Sequence, residues 1–378
     1  MTKTIINAKI YTGEDVIESG YIRFEDTILE VNSMTNYQEN TADEIIDATG
    51  QSIIPGFIDV HSHGGYSIDN MDANPELINV MTEKMLAEGI TSYFPTTMTQ
   101  SDENIEKSLA GIAEAKKTNP MIQGIHLEGP FVSPAYKGAQ PEQFMRKADA
   151  ETMKRWNDIS GGNLRLVTYA PEMGDVSEFE TYCLEHNIVL SAGHSGATYE
   201  QLMDSNVTHV THLFNGQLGL HHREIGVAGY ALLENDVYAE MIVDGLHITP
   251  AMVKLAYKAK GSDNILLITD SMRAKGMPEG ESELGGQKVF VKDKQARLEN
   301  GALAGSVLTF IDAFKNMIEF TGCSVLEAVK MSSVNQAREF GLTSKGQLKV
   351  GLDADIVILD ETFNINKTIL GGKVHEFK

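Results

Sequence analysis

Histidines stand at the ends of short apolar segments in this chain, where their imidazoles could bind a metal ion. His61 and His63 directly follow the apolar run Phe57–Val60. If that run is a strand, the two-residue period of its side chains puts both imidazoles on one face, where they can reach the same ion. A single His-x-His pair is more often a surface or loop feature, so it predicts a metal site only together with other ligands.

Three further residues complete a ligand set. Glu128 stands where an apolar run breaks at Gly129-Pro130, so its carboxylate is expected to project from a strand end. His194 and His212 each close an apolar segment with one imidazole. Taken singly, these are an ordinary loop glutamate and two buried histidines. Together they form the two-histidine, one-carboxylate set that suits Zn²⁺ or Fe²⁺ with a position open for water.

Asp270 ends the apolar run Ile265–Thr269, where a charge is rarely buried without a partner. A bound metal lowers the pKa of its water to about 7, and a neighbouring carboxylate can take the proton and pass it to a departing nitrogen. We favour this acid/base role for Asp270 over a structural salt bridge.

Elements that end on a common face must position these residues. Strand-like runs alternate with amphipathic helical segments, which predicts parallel strands joined by crossover helices. The predicted strands are Ile53–Val60, Thr91–Thr97, Met121–Leu127, Leu164–Tyr169, Ile188–Ala192, His209–Phe214, Tyr238–Val243 and Ile265–Thr269. This number suits a closed (β/α)8 barrel, whose active site lies at the carboxyl ends of the strands. A doubly wound open sheet is the alternative, but no Gly-x-Gly-x-x-Gly follows the first strand.

The remaining segments predict the rest of the fold. Helices are expected at Glu76–Glu88, Ile105–Lys117, Ala251–Lys260, Val307–Phe320 and Val325–Phe340, with a β-hairpin insertion at Leu284–Leu298. Both chain ends carry short strand-like runs without helical periodicity. We therefore expect an α/β fold, with a TIM-type barrel at residues 53–348 and a small β-sandwich domain formed by residues 1–52 and 349–378.

The composition limits the possible partners. A net charge of −22 over 378 residues argues against binding to nucleic acid or to anionic membranes. Small molecules are the expected partners, and a phosphorylated one would need local cations or N–H groups. The chain has neither a long apolar run nor a signal-peptide pattern, and its two cysteines, Cys183 and Cys323, are expected to be reduced and buried. A soluble cytoplasmic protein is expected.

Six motifs occur in an order that resembles one family over nearly the whole chain. They are Pro55-Gly56-Phe57-Ile58-Asp59-Val60-His61-Ser62-His63-Gly64, His126-Leu127-Glu128-Gly129-Pro130-Phe131, Gly193-His194, Thr211-His212-Leu213-Phe214-Asn215, Asp244-Gly245-Leu246-His247 and Ile268-Thr269-Asp270. The chain resembles the N-acetylglucosamine-6-phosphate deacetylases of the amidohydrolase superfamily. The resemblance implies a metal-dependent hydrolase that releases acetate from this phosphorylated amino sugar, in amino-sugar catabolism or recycling.

The resemblance also implies roles for individual residues. It assigns the main metal to Glu128, His194 and His212, a second ion to His61 and His63 with the shared Glu128, and acid/base catalysis to Asp270, so that one or two ions, Zn or Fe, are expected per subunit. It further implies that Asn215, Gly216, Arg223 and His247 bind the sugar phosphate. In this family the cationic pair, here Arg223 and His247, reaches the neighbouring site of a homodimer.

Departures and alternatives remain at this point. Many relatives carry a histidine near the position of Gln140, where it helps to orient the acetyl carbonyl, and the amide of Gln140 is expected to donate one hydrogen bond there. A dihydroorotase-like or D-aminoacylase-like amide hydrolase is an alternative, although cyclic-amide enzymes usually place a lysine after the fourth strand and none follows Tyr169 here. A non-catalytic barrel scaffold is the alternative from another class.

Overall fold

The computed structural model describes residues 1–377 and builds one sheet from both ends of the chain. Its strands are Lys3–Tyr11, Val16–Phe24, Ile28–Ser33, Glu44–Asp47, Ser52–Pro55, Ile356–Leu359, Ile365–Leu370 and Lys373–Glu376. Ile356–Leu359 pairs antiparallel with Ser52–Pro55, so the last strands of the chain extend the sheet that the first strands begin. Apolar side chains such as Ile5, Ile22 and Ile369 pack into a core belonging to this sheet.

The middle of the chain forms the parallel strands of a TIM-type barrel. In chain order, strands one to eight are Phe57–Ser62, Ile90–Pro95, Ile125–Glu128, Leu164–Tyr169, Val189–Ala192, His209–Val210, Tyr238–Ile242 and Ile265–Ile268. Strand one pairs with strand two, and strands three to eight pair consecutively, all in parallel. An isolated bridge between Thr96 and His126 joins strand two to strand three. The ring closes where the N–H of Asp270 donates to the carbonyl of His61 at 2.8 Å.

Helices follow the strands and cover them. The α-helices are Pro75–Met85, Asp102–Lys116, Ala150–Ile159, Ser177–Glu185, Tyr199–Met203, Gly226–Leu233, Pro250–Lys260, Phe310–Thr321, Val325–Val329 and Asn335–Glu339, the last two joined by the π-helical Lys330–Val334. Short 3-10 turns lie at Met34–Asn36, Asn70–Asp72, Leu86–Glu88, Pro134–Tyr136, Glu142–Phe144 and Pro171–Met173. Several α-helices begin directly after a residue whose side chain caps the first turn. The Ser101 side chain, for example, accepts from the N–H of Asn104 at the start of Asp102–Lys116. None of the helices in residues 1–377 has the length and apolar character that crossing a bilayer requires.

The predicted hairpin insertion after strand eight is larger than expected. It consists of the antiparallel strands Gly280–Leu284, Gln287–Lys292 and Gln295–Leu298. A smaller antiparallel pair, Gly64–Gly65 with Ile68–Asp69, follows strand one. Both features lie at the carboxyl ends of the parallel strands, the face that carries the predicted site.

The first predicted strand, Ile53–Val60, is wrong as a single element. Ser52–Pro55 belongs to the end sheet, whereas Phe57–Ser62 is strand one of the barrel. The chain changes sheets at Gly56, where a Cβ atom would lie 2.1 Å from the Oγ1 of Thr91. A glycine is required by this close approach, and it divides one apolar run between two sheets.

Backbone turns shorten the predicted strand His209–Phe214 to His209–Val210. The φ angles of His212 and Phe214 are 32° and 78°, in the left-handed region that cannot continue a strand. His194 and Asp270 also have positive φ, 47° in each case. Three of the predicted site residues therefore stand on sharp turns directly after their strands.

Candidate metal centre and active site

The carboxyl ends of the parallel strands surround a pocket of about 200 Å³. Most of the predicted site residues line it: His63, Glu128, Gln140, His194, His212, Asn215, Gly216, His247 and Asp270. His61 lies fully buried beside these residues, with its Nε2 atom 3.6 Å from Glu128 Oε1. The barrel thus brings together side chains that are distant in sequence.

Glu128, His194 and His212 form the first half of the candidate metal centre. The Nε2 atoms of His194 and His212 lie 3.2 and 3.1 Å from Glu128 Oε1, and 3.1 Å from each other. At these separations, the space between the two imidazole nitrogens and the carboxylate oxygen has room for only a few protons. Ligands about 2.0–2.1 Å from a tetrahedral zinc ion lie about 3.3 Å apart, so this donor set fits a divalent metal.

His61 and His63 form the second half, on the other side of the same carboxylate. Glu128 Oε2 lies 3.1 Å from His63 Nε2, while Glu128 Oε1 lies 3.6 Å from His61 Nε2. Within residues 1–377, the buried Nε2 atom of His61 has no hydrogen-bond partner. An unpartnered buried nitrogen facing a carboxylate also fits a metal ligand. Both oxygens of Glu128 therefore face imidazoles.

Asp270 stands next to this second half. Its Oδ1 atom lies 3.5 Å from His61 Nε2 and 3.4 Å from His63 Nε2. Burial by itself would raise the pKa of Asp270, but the charges of His61 and His63 outweigh burial and lower it. The carboxylate is consequently ionised at neutral pH and can accept a proton.

The electrostatics of the cluster also fit a cation. Burial opposes a charge on His61, yet the carboxylates of Glu240, Asp270 and Glu128 raise the pKa of this imidazole to about 9. The imidazoles around Glu128 hold the pKa of its carboxyl group well below its usual range, against the effect of burial. They are those of His61, His63, His194 and His212. A bound metal ion would take the place of protons on its imidazole ligands, since metal ligands must be deprotonated.

Gln140 contacts a predicted ligand directly. Its Nε2 atom donates to Glu128 Oε2 at 2.7 Å, and its Oε1 atom accepts from the N–H of Thr99 at 3.0 Å. One amide hydrogen thus orients the carboxylate between the two imidazole pairs. Its expected contact with an acetyl carbonyl stays a prediction.

The residues predicted to bind the sugar phosphate separate into two places. His247 lines the pocket, and its Nδ1 atom is held at 2.6 Å by Asp244, whose pKa is lowered because the contacts with His247 outweigh burial. Asn215 lies beside His212 and donates to its carbonyl at 3.3 Å. Arg223 is exposed and lies 2.9 Å from His222 Nε2 rather than lining the pocket. The single chain therefore supplies His247 to its own pocket without Arg223.

Two buried acids near the site were missed by the sequence analysis. Glu240 in strand seven is fully buried, and its Oε2 atom lies 2.8 Å from His61 Nδ1. Asp59 in strand one accepts from Thr269 Oγ1 at 2.6 Å and so ties strand one to strand eight; burial raises its pKa to about 6. Each is an acidic residue inside an apolar strand, the same sequence pattern that points to Asp270.

Similarity to known proteins covers almost the whole chain. Residues 52–375 match the amidohydrolase family. The chain is 39% identical to the N-acetylglucosamine-6-phosphate deacetylase of Bacillus subtilis (strain 168), over 97% of this chain and 95% of that protein. It is 32% identical to the N-acetylgalactosamine-6-phosphate deacetylase of Escherichia coli O157:H7, over the full length of both. A Mycobacterium smegmatis deacetylase variant, solved in complex with N-acetyl-D-glucosamine-6-phosphate, matches with a TM-score of 0.93 at 29% identity over 99% of each chain.

Proposed function

The chain belongs to the amidohydrolase family, and we propose that it hydrolyses N-acetylglucosamine 6-phosphate to glucosamine 6-phosphate and acetate. The observation that carries this proposal is the convergence of Glu128, His194, His212 and Asp270 on one pocket, in a chain that matches such deacetylases over nearly its whole length. The reaction belongs to amino-sugar catabolism or recycling.

Two divalent ions, zinc or iron, fit the donor set. Glu128, His194 and His212 would hold one ion, and His61 and His63 together with Glu128 would hold the second. The chemistry that such a metal would supply is polarisation of the acetyl carbonyl and a lowered pKa, about 7, for a water. Gln140 keeps the Glu128 carboxylate oriented for both imidazole pairs through its 2.7 Å hydrogen bond.

Asp270 moves the proton. Its ionised carboxylate takes a proton from the water that adds to the acetyl carbon, and it gives this proton to the nitrogen as the C–N bond breaks. The amine and acetate result. The position of Asp270 next to the His61 and His63 side chains, at 3.5 and 3.4 Å, supports this role.

The sugar phosphate binds to the side of the pocket formed by Asn215, Gly216 and His247. Because the chain carries a net charge of −22, a phosphate needs local donors. Arg223 is the remaining cation of the predicted set, and its exposure away from the pocket suits a residue that completes the site of a second copy in a homodimer. Mixing inactive Arg223→Ala and Asp270→Asn proteins tests this arrangement. Recovered activity supports it, and none recovered in a mixed dimer contradicts it.

We also propose that the end sheet and the barrel are separate domains, with the predicted boundary between residues 52 and 53 moved so that Ser52–Pro55 belongs to the end sheet and the barrel begins with Phe57–Ser62. The end sheet has its own apolar core, which supports this division. A cytoplasmic location is proposed as well, since Cys183 and Cys323 are buried and unpaired, as in a reducing compartment.

Acetate release tests the proposed reaction. Metal-replete protein is expected to release acetate from N-acetylglucosamine 6-phosphate much faster than from unphosphorylated N-acetylglucosamine. N-Acetylgalactosamine 6-phosphate is the comparison substrate, because the relative of 32% identity bears that name. A strong chelator should abolish the activity and added zinc should restore it. No acetate from either phosphorylated sugar would reject the proposal in favour of another amide hydrolase or a scaffold.

A further inference from the structure

A line of buried charged side chains leads from the candidate metal centre through the barrel. His61 Nδ1 lies 2.8 Å from Glu240 Oε2, Glu240 Oε1 lies 3.1 Å from His209 Nε2, and His209 Nδ1 lies 2.7 Å from Glu339 Oε1. Glu240 and His209 are fully buried in strands seven and six, and Glu339 is in the last helix. The proposed reaction uses none of the last three residues.

The contact with Glu240 determines which nitrogen of His61 carries the proton. A carboxylate at Nδ1 holds a proton there, so the lone pair of a neutral His61 is on Nε2. That atom faces Glu128 Oε1 at 3.6 Å and Asp270 Oδ1 at 3.5 Å, where the second ion would bind. Carboxylates that support metal-binding histidines in this way typically contribute about 10–100-fold in metal affinity.

This support is specific to one of the four imidazoles. The Nδ1 atom of His194 lies 3.0 Å from the carbonyl of Tyr136, and those of His63 and His212 have no hydrogen-bond partner among residues 1–377. Glu240 touches His212 only through the backbone N–H, at 3.1 Å. A change at Glu240 should therefore affect the half of the centre that contains His61 more than the half that contains His194.

We propose that Glu240 is a positioning residue that presents His61 Nε2 to the second metal ion, and that His209 and Glu339 hold Glu240 in place. This inference rests on the proposed metal-dependent function. Occupancy of the second metal site therefore depends on Glu240, a residue that does not itself bind the metal.

Counting zinc ions tests the proposal without using activity. Wild-type and Glu240→Gln proteins are dialysed against the same series of buffered zinc concentrations, and bound zinc per subunit is measured by elemental analysis. The variant should bind one of two ions about 10–100-fold more weakly and retain the other. In a His63→Ala background, where the same ion is already weakened, Glu240→Gln should add little further loss. Unchanged binding of both ions, or equal weakening of both, would overturn the proposal.

Three further variants sharpen the result. Glu180→Gln makes the same change at a buried glutamate that accepts hydrogen bonds from Tyr169 and Asn206 and does not line the pocket, and it should leave zinc binding unchanged. His126→Gln tests whether Glu240 is instead a ligand, because His61, His126 and Glu240 also lie close enough to share an ion. Zinc loss in His126→Gln equal to that in Glu240→Gln would favour that reading and overturn ours.

Glu339→Gln tests the line from its far end. It touches no residue of the pocket, so it should weaken the same ion by a smaller factor, and it provides the test if Glu240→Gln does not fold. No effect of Glu339→Gln on zinc binding would remove Glu339 from the proposal, and it would overturn the proposal as a whole if Glu240→Gln does not fold. A wild-type protein that binds two zinc ions but releases no acetate would reject the proposed function and leave the zinc comparison valid.

Discussion

Two groups of buried charges in this protein differ in how they are neutralised. Near the end sheet, Lys345 Nζ lies 2.6 Å from Asp355 and 3.0 Å from Asp353, and Asp355 also accepts from the N–H of Gly371. At the barrel mouth, Glu128 and its neighbouring imidazoles place ligand atoms about as far apart as those around a zinc ion. The first group is neutralised within the chain, whereas the ligand atoms of the second group fit a cation from outside.

The difference separates stability from function. A buried charge paired inside the chain stabilises the fold, and its removal leaves a partner without compensation. Groups assembled to bind an ion or to move a proton repel or strain one another without their ligand, so removing one costs little stability. Substitutions at the barrel mouth should remove activity while the protein stays folded. Substitutions near Lys345 should lower the free energy of unfolding and leave the activity of the folded protein unchanged.

The largest expected effect is that of Asp270→Asn, because it removes the proton acceptor while keeping the shape of the side chain. We expect kcat for acetate release to fall by about 10²–10⁴-fold, with the unfolding midpoint unchanged or raised. Steady-state kinetics and thermal unfolding measure the two quantities, and zinc analysis checks that metal is retained. Asp293→Asn, on an exposed turn of the insertion, is the matched control and should keep full activity. Wild-type turnover in Asp270→Asn would show that another group moves the proton.

A smaller effect, on stability instead, is expected from Lys345→Met. Asp355 is almost fully buried and would lose its cation, so the free energy of unfolding should fall by about 3–5 kcal/mol. Urea unfolding measures this change, and kcat of the folded variant should match wild type. Lys107→Met, which removes an exposed pair with Glu103, should leave both quantities unchanged. If Lys345→Met were as stable as wild type, the contrast between the two groups would fail.

The smallest effect is a pH dependence at His209, which is paired inside the barrel. Burial opposes its charge, but Glu339 and Glu240 outweigh burial and raise its pKa to about 10. The folded pKa lies above the ordinary value of about 6.5, so protonated His209 stabilises the fold fully below about pH 6.5 and this contribution is lost as pH rises toward 10. Urea unfolding of metal-replete protein should show wild type losing about 1–3 kcal/mol more than His209→Gln between pH 7 and 9.5. Equal losses would show that His209 is neutral in the fold.

Much of the site was predictable because its residues obey strand periodicity. His61 and His63, two residues apart at a strand end, point to one face, and both lie close to Glu128. The resemblance to the deacetylases is confirmed by the match to the Bacillus subtilis protein. Glu240 was not predicted, although it is an acidic residue within an apolar strand, the pattern that points to Asp270.

Other features depend on contacts between distant segments. The division of the run 53–60 between two sheets depends on how closely Thr91 approaches Gly56. Gln140 was expected to serve the acetyl carbonyl, yet its hydrogen bond to Glu128 links a loop to a strand end and leaves no trace in local sequence. The turn that shortens strand six depends on positive φ at His212 and Phe214, which is uncommon for residues other than glycine.

The sequence by itself determined the alternation of strands and helices and the residue type at each strand end, since these follow from local periodicity and chain order. Tertiary structure alone decided that Glu128 faces two imidazole pairs and that Glu240 supports His61, along with the separation of Arg223 from this pocket. The physical reason is that distances of about 3 Å between side chains on different strands are set by ring closure and strand register. No local property of the chain encodes them.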